Sequence, residues 1–124
     1  MPAHRVLVVE DDLEIREALM EILEDQGYEA VGAGNGFEAL DRLRDGPQPC
    51  LIFLDLMMPR MDGKTFRQEQ LRSREIASIP VVVISAFRDV GAIAQELKAS
   101  DLLRKPFQLQ ELVSVTRRHC PMGA

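Results

Sequence analysis

The sequence predicts an α/β domain built on a parallel sheet, and three observations carry that reading. The apolar runs RVLVVE (5–10), CLIFLD (50–55) and PVVVIS (80–85) are nearly continuous in Val, Leu and Ile rather than alternating. Strands of that composition are covered on both faces, which is the condition of a parallel sheet. Between the runs the apolar spacing changes to a helical period. Strand and helix then alternate five times, an order that places helices on both faces of one sheet.

Taken along the chain, the first strand is 5–10. Ile15, Ala18, Leu19, Ile22 and Leu23 follow at i, i+3, i+4, i+7 and i+8, the stripe of a helix that Asp12 can cap and Gly27 can stop as its C′ residue. YEAVGA (28–33) is the second strand. Asn35 is a candidate cap for a helix carrying Phe37, Leu40 and Leu43, ended by Gly46 and Pro47. The third strand is 50–55. The segment 64–75 is a weaker helix, with Phe66 and Leu71 as its only large apolar residues. The fourth strand, 80–85, leads to a short stripe of Val90, Ile93, Ala94 and Leu97 behind a possible Asp89 cap. DLLRK (101–105) is the last strand, and Leu109, Leu112, Val113 and Thr116 mark the last helix.

The chain has 124 residues, about one domain by length, read as a single unit over 1–120 with a short tail at 121–124. Hydrophobic residues at 46% and charged residues at 28% fit a soluble globular protein and not a disordered one. The apolar runs are too short to cross a bilayer, which takes ~20 residues, so no membrane insertion is expected. The N-terminus reaches acidic residues before a signal-peptide core could form, which points to the cytoplasm. A formal net charge of −5 argues against direct nucleic-acid binding. RSRE (72–75) and Arg117-Arg118 read as solvated helix ends. Cys50 and Cys120 are expected to be reduced, Cys50 as a core filler and Cys120 beside the tail. No Cys/His spacing suits zinc, and His4 and His119 lie near opposite ends, so no His-based metal or nucleophile site is expected.

Ligands of open parallel sheets bind beyond the carboxyl ends of the strands. There the chain places Glu10-Asp11-Asp12, Asp55, Ser85-Ala86 and Lys105-Pro106. Each alone has an ordinary reading: a helix cap, a turn serine, a surface lysine. Together they converge on one edge. Glu10, Asp11 and Asp55 would repel one another when crowded. A hard cation with oxygen ligands relieves that repulsion, and Mg²⁺ suits few carboxylates plus waters and a phosphate. Asp55 could then serve as a nucleophile that forms an aspartyl-phosphate, with Ser85 and Lys105 holding phosphoryl oxygens.

The stretches VLVVEDD, FLDLMMPRMDG, PVVVISA and KPF, together spanning residues 6–107, resemble the response-regulator receiver domains of two-component signalling. The resemblance implies a flavodoxin-like (βα)5 three-layer sandwich, its five-stranded parallel sheet in the order 2-1-3-4-5. It implies phosphorylation of Asp55 by a sensor histidine kinase or phosphotransfer protein with Mg²⁺ bound, and a switch in binding to an output protein. Such a domain would catalyse only its own phosphorylation and slow dephosphorylation. Carried onto this chain, Asp11 and Asp55 should ligate the metal directly, Glu10 through water, and Met57 through its backbone carbonyl. Ser85 matches the switch hydroxyl and Lys105 the conserved-type lysine. Pro59 and Gly63 shape the loop after the third strand, and Lys105-Pro106 resembles the family's cis peptide. The chain would be a stand-alone receiver or one separated from a larger protein. Two other readings remain: a receiver-like interaction module that works without phosphate, and a small phosphohydrolase. The second acid typical of the latter is replaced here by Met57.

The chain departs from the family pattern at Leu102, where an aromatic residue usually stands three positions before the lysine. The aromatic half of the switch is therefore missing, and the expectation is that Ser85 and the 86–98 segment carry the signal. The interval from Ser85 to Lys105 is short, which predicts a shortened or irregular fourth helix. That face is one by which family members dimerise, so a homodimer is also a candidate. Met57 and Phe87 are apolar and bulky and should flank the path of an attacking water, predicting slow loss of the phosphoryl group. Ala86 is small and should leave room for the phosphodonor.

Overall fold

The computed structural model describes residues 4–57, 61–86, 88 and 90–121. Five strands and five helices alternate: β1 (Arg5–Val9), α1 (Leu13–Asp25), β2 (Glu29–Ala33), α2 (Gly36–Arg44), β3 (Leu51–Asp55), α3 (Gly63–Arg72), β4 (Val81–Ser85), α4 (Val90–Glu96), β5 (Asp101–Arg104) and α5 (Leu109–His119). The strands form one parallel sheet in the order β2-β1-β3-β4-β5, the flavodoxin-like arrangement the motifs imply.

Strand residues alternate between the two faces, so each strand feeds two apolar layers. Leu7, Val9, Ile52, Leu54, Val81 and Val83 pack on one side against Leu40 and Leu43 of α2, Phe66 of α3 and Val90 of α4. Val6, Val8, Leu51, Phe53, Val82 and Ile84 pack on the other side against Leu19 and Leu23 of α1 and Leu112 and Val115 of α5. Continuous Val/Leu/Ile runs are what this double coverage requires.

The caps fall where the side chains suggest. Asp12 accepts from the Ile15 N–H and Asn35 from the Glu38 N–H. Gly27 ends α1 at φ 94°, in the left-handed region that favours glycine. α4 has seven residues, the shortened helix the spacing predicts. Its proposed cap, Asp89, lies outside the described residues, as do Pro59, Phe87 and residues 122–124 of the tail.

Three expectations need correction. The stripes begin too early: Ile15 and Ala18 of α1, Phe37 of α2 and Leu109 of α5 are exposed. Ile15 and Leu109 lie one turn before the first buried residues of their helices, Leu19 and Leu112, whereas Ala18 and Phe37 adjoin buried Leu19 and Gly36 and are turned to the outer face. In α3, Leu71 is exposed, and Phe66 shares the buried face with two polar residues, Arg67 and Gln70. Finally, Cys50 and Cys120 are joined in a disulfide and are not free thiols. Their sequence separation of 70 hides the fact that the entrance to β3 and the end of α5 meet at a Cα–Cα distance of 5.5 Å. Cys120 is buried against the α1/α5 layer, not loose beside a tail. No helix among the described residues is long and apolar enough to cross a membrane.

Candidate functional site

The carboxyl ends of β1, β3, β4 and β5 bring the candidate residues together. The β1–β3 register pairs Val9 with Leu54, so Glu10 and Asp55 are neighbours in the next step. The β3–β4 register pairs Asp55 with Ile84. Glu10, Asp11 and Asp55 each present a carboxylate oxygen, and these oxygens lie within 4.8 Å of one another. Glu10 and Asp55 are buried, at 2% and 3% exposure, whereas Asp11 is exposed. Lys105 reaches across from the end of β5, and its Nζ donates to Glu10 Oε1 at 3.0 Å. The ammonium is thus hydrogen-bonded to Glu10, and its charge also acts on Asp55, over which the sequence places it. The Lys105-Pro106 peptide is cis. The Lys105 N–H donates to the Ser85 carbonyl at 2.9 Å, which ties the lysine to the serine's own strand. Ser85 is buried and Ala86 exposed.

Local backbone contacts hold the acids in place. The Met57 N–H donates to Asp55 Oδ1 at 3.1 Å and the Asp12 N–H to Glu10 Oε2 at 3.3 Å. Arg16 Nη1 donates to the Glu10 carbonyl at 2.7 Å. Asp62 caps α3 by accepting from the Thr65 N–H. Gly63 starts that helix so close to β3 that a Cβ there would lie 2.9 Å from both the Asp55 carbonyl oxygen and Leu56 Cα. Only glycine allows this approach. The sequence reading missed Arg16 and Asp62. The signal for Asp62 was its place three residues before Thr65 at a helix start, a capping position. Nothing in the sequence marks Arg16.

Burial and crowding shift the acids in opposite directions. Burial, then the hydrogen-bonded Glu10 carboxylate and its charge, push Asp55 from 3.8 up to about 7; the Met57 N–H and Lys105 oppose that rise. Burial would also raise Glu10, but hydrogen bonds from Asp55, Lys105 and the Asp12 N–H, with the Lys105 charge, outweigh it and hold Glu10 low. Asp55 without a cation is therefore an acid kept partly protonated by its neighbours. A cluster offering only carboxylate oxygens, with no thiolate or imidazole, fits a hard divalent cation such as Mg²⁺.

Of the remaining candidates, Met57 is 60% exposed beside Asp55. Leu102 is half-buried and packs against the layer that contains Val90 and Leu97. It links β5 to α4 by aliphatic contact at the position where the family pattern has a ring.

A family model described as the response regulator receiver domain matches residues 6–117. The transcriptional regulatory protein PdtaR of Mycobacterium tuberculosis is 42% identical over 112 residues, covering 88% of this chain and 53% of the relative. The phosphate regulon transcriptional regulatory protein PhoB of Escherichia coli is 37% identical over 127 residues, covering 98% and 55%. The chain thus spans about half the length of these curated relatives. Among solved structures, a putative response regulator from Chloroflexus aurantiacus superimposes with a TM-score of 0.88 at 32% identity, covering 98% of this chain and 100% of that one. The signal receiver domain of a signal transduction histidine kinase from Syntrophus aciditrophicus gives 0.86 at 31% identity, covering 95% and 90%.

Proposed function

This chain belongs to the response regulator receiver domain family, and from that premise we propose that Asp55 accepts a phosphoryl group from a histidine kinase or phosphotransfer protein in a Mg²⁺-dependent reaction. The observation that carries the reading is the meeting of three carboxylates with the Lys105 ammonium at the strand ends. Asp11 and Asp55, with the Met57 carbonyl, would hold the ion directly and Glu10 would do so through water. Bound there, the cation would neutralise the crowded carboxylates and offset negative charge on the phosphoryl oxygens. Asp55 Oδ attacks phosphorus while the phosphorus–nitrogen bond of the donor histidine breaks, and the electron pair leaves with the imidazole. Asp55 must be ionised to attack, which charge neutralisation at the site favours. Lys105 and the Ser85 hydroxyl hold phosphoryl oxygens, and the exposed, small Ala86 leaves the donor room. Such chemistry needs mainly positioning and charge stabilisation. The domain turns over no separate substrate.

The signal passes from Ser85 into the 86–98 segment and Leu102, and from there to an output partner or a second copy of the chain. Incubation with acetyl phosphate and Mg²⁺ tests the reading. One phosphoryl group per chain, absent in Asp55→Asn and without the cation, is the expected result. No uptake would favour a phosphate-independent interaction module, and sustained phosphate release would favour a hydrolase.

A further inference from the structure

We propose that Cys50 and Cys120 form a reversible thiol–disulfide site at the amino-terminal edge of the sheet. It exchanges two electrons with a low-molecular-weight thiol such as glutathione and sets how firmly the last turn of α5 is held. The pair lies outside the acid site. Cys50 directly precedes β3, and Asp55 ends that strand, ~16 Å away at ~3.3 Å per residue. Cys120 is the C-cap of α5. A Cα–Cα distance of 5.5 Å lies within the range that a disulfide spans without backbone movement.

The surroundings accept both redox states. The Arg5 carbonyl stands 3.2 Å from Cys50 Sγ, so the thiol formed by reduction has an acceptor in place. Cys120 lies among Tyr28, Leu112 and Val115, where a thiol behaves as a small apolar group. Contacts that do not involve sulfur also keep α5 docked. The Tyr28 hydroxyl donates to the Cys120 carbonyl at 2.7 Å, Arg117 donates to Gln26 Oε1 at 2.7 Å, and Arg118 and His119 meet Asp101. Reduction therefore leaves a folded domain with a looser α5 terminus.

The two cysteines differ in access. Cys50 is half-buried and Cys120 only 2% exposed. An incoming thiolate attacks Cys50 Sγ, forms a mixed disulfide and expels the Cys120 thiolate. A second thiolate attacks the reagent sulfur, releasing the small disulfide and the Cys50 thiolate. Two protons complete the protein thiols, and the reverse sequence, driven by the small disulfide, oxidises them.

The test equilibrates the full chain in glutathione mixtures, traps thiols with N-ethylmaleimide and reads the mass. Two modified cysteines at the reducing limit and none at the oxidising limit, interconverting without unfolding, are expected. Amide exchange at 117–120 should be about tenfold faster in the reduced form. Cys50→Ser and, separately, Cys120→Ala should show the fast exchange in every mixture. Two modifiable thiols in all mixtures, a bond that excess thiol cannot open in the folded protein, or equal exchange at 117–120 in both states would each overturn the proposal.

Discussion

Asp55 sits at the end of an otherwise apolar strand, 3% exposed, beside another buried carboxylate. Its pKa is raised to about 7 from an ordinary 3.8, which makes it a weaker acid. Between those values the folded protein keeps a proton that the unfolded chain releases, so unfolding free energy declines as pH rises through that window and stays low above it. Glu10 and Asp101 are shifted the other way, and the stability they add is lost only as pH falls below the ordinary carboxylate range. Cation-free protein is therefore expected to be less stable at pH 8 than at pH 5. Asp55→Asn should flatten that slope and exceed wild type at pH 8 by on the order of 2 kcal/mol. Urea denaturation of both at the two pH values checks this, and a wild type that gains stability over the interval contradicts it. Met57 is exposed beside the same carboxylate and carries no group that can orient water. Met57→Asn supplies one, and phosphoryl loss from Asp55 should accelerate by about tenfold, measured as the decay of phosphorylated chain by intact mass.

Helix α3 shows why a weak amphipathic pattern can still mark a well-anchored element. Arg67 Nε donates to the Leu97 carbonyl at 2.9 Å and its Nη2 to the Lys98 carbonyl at 3.0 Å. These are the orphan acceptors at the end of α4, where Lys98 adopts φ 56°. Arg67 Nη1 also donates to Gln70 Oε1 at 2.7 Å, and Gln70 Nε2 donates in turn to the carbonyls of Ile76 and Ile79. One buried polar pair thus fastens α3 to the end of α4 and to the turn before β4. The short α4 is thus held at its carboxyl end by α3, while at its amino-terminal end Val90 is buried in the core and Arg104 Nη1 donates to the Arg88 carbonyl at 3.2 Å. Arg67→Ala removes the donors and strands the carbonyls. It should cost about 2–4 kcal/mol in urea denaturation and raise amide exchange across 93–99.

For the molecule as a whole, the acid cluster is a local instability that a ligand can relieve. A cation that binds only the folded state stabilises it by mass action. At ten times its dissociation constant Mg²⁺ should add about 1.4 kcal/mol. The gain should be larger at pH 8 than at pH 6, because protonation of Asp55 competes with the ion. Thermal unfolding with Mg²⁺ and with chelator, at both pH values, measures this. Equal midpoints in all four conditions would contradict the proposed metal site.

The chain by itself determined the alternation of strands and helices, the double coverage of β1, β3 and β4, the caps at Asp12 and Asn35, and the acid, serine and lysine positions. Those features depend on local spacing and on what each strand carries at its end, and both are written in consecutive residues. Only the tertiary structure decided which cation partner Glu10 takes, that Arg67 and Gln70 face inward, that Ile15, Phe37 and Leu109 face out, and that Cys50 meets Cys120. The physical reason is common to all four. Each depends on how a helix is seated and turned on the sheet, or on which distant segments the sheet order brings side by side, and neither is encoded in a short stretch of chain.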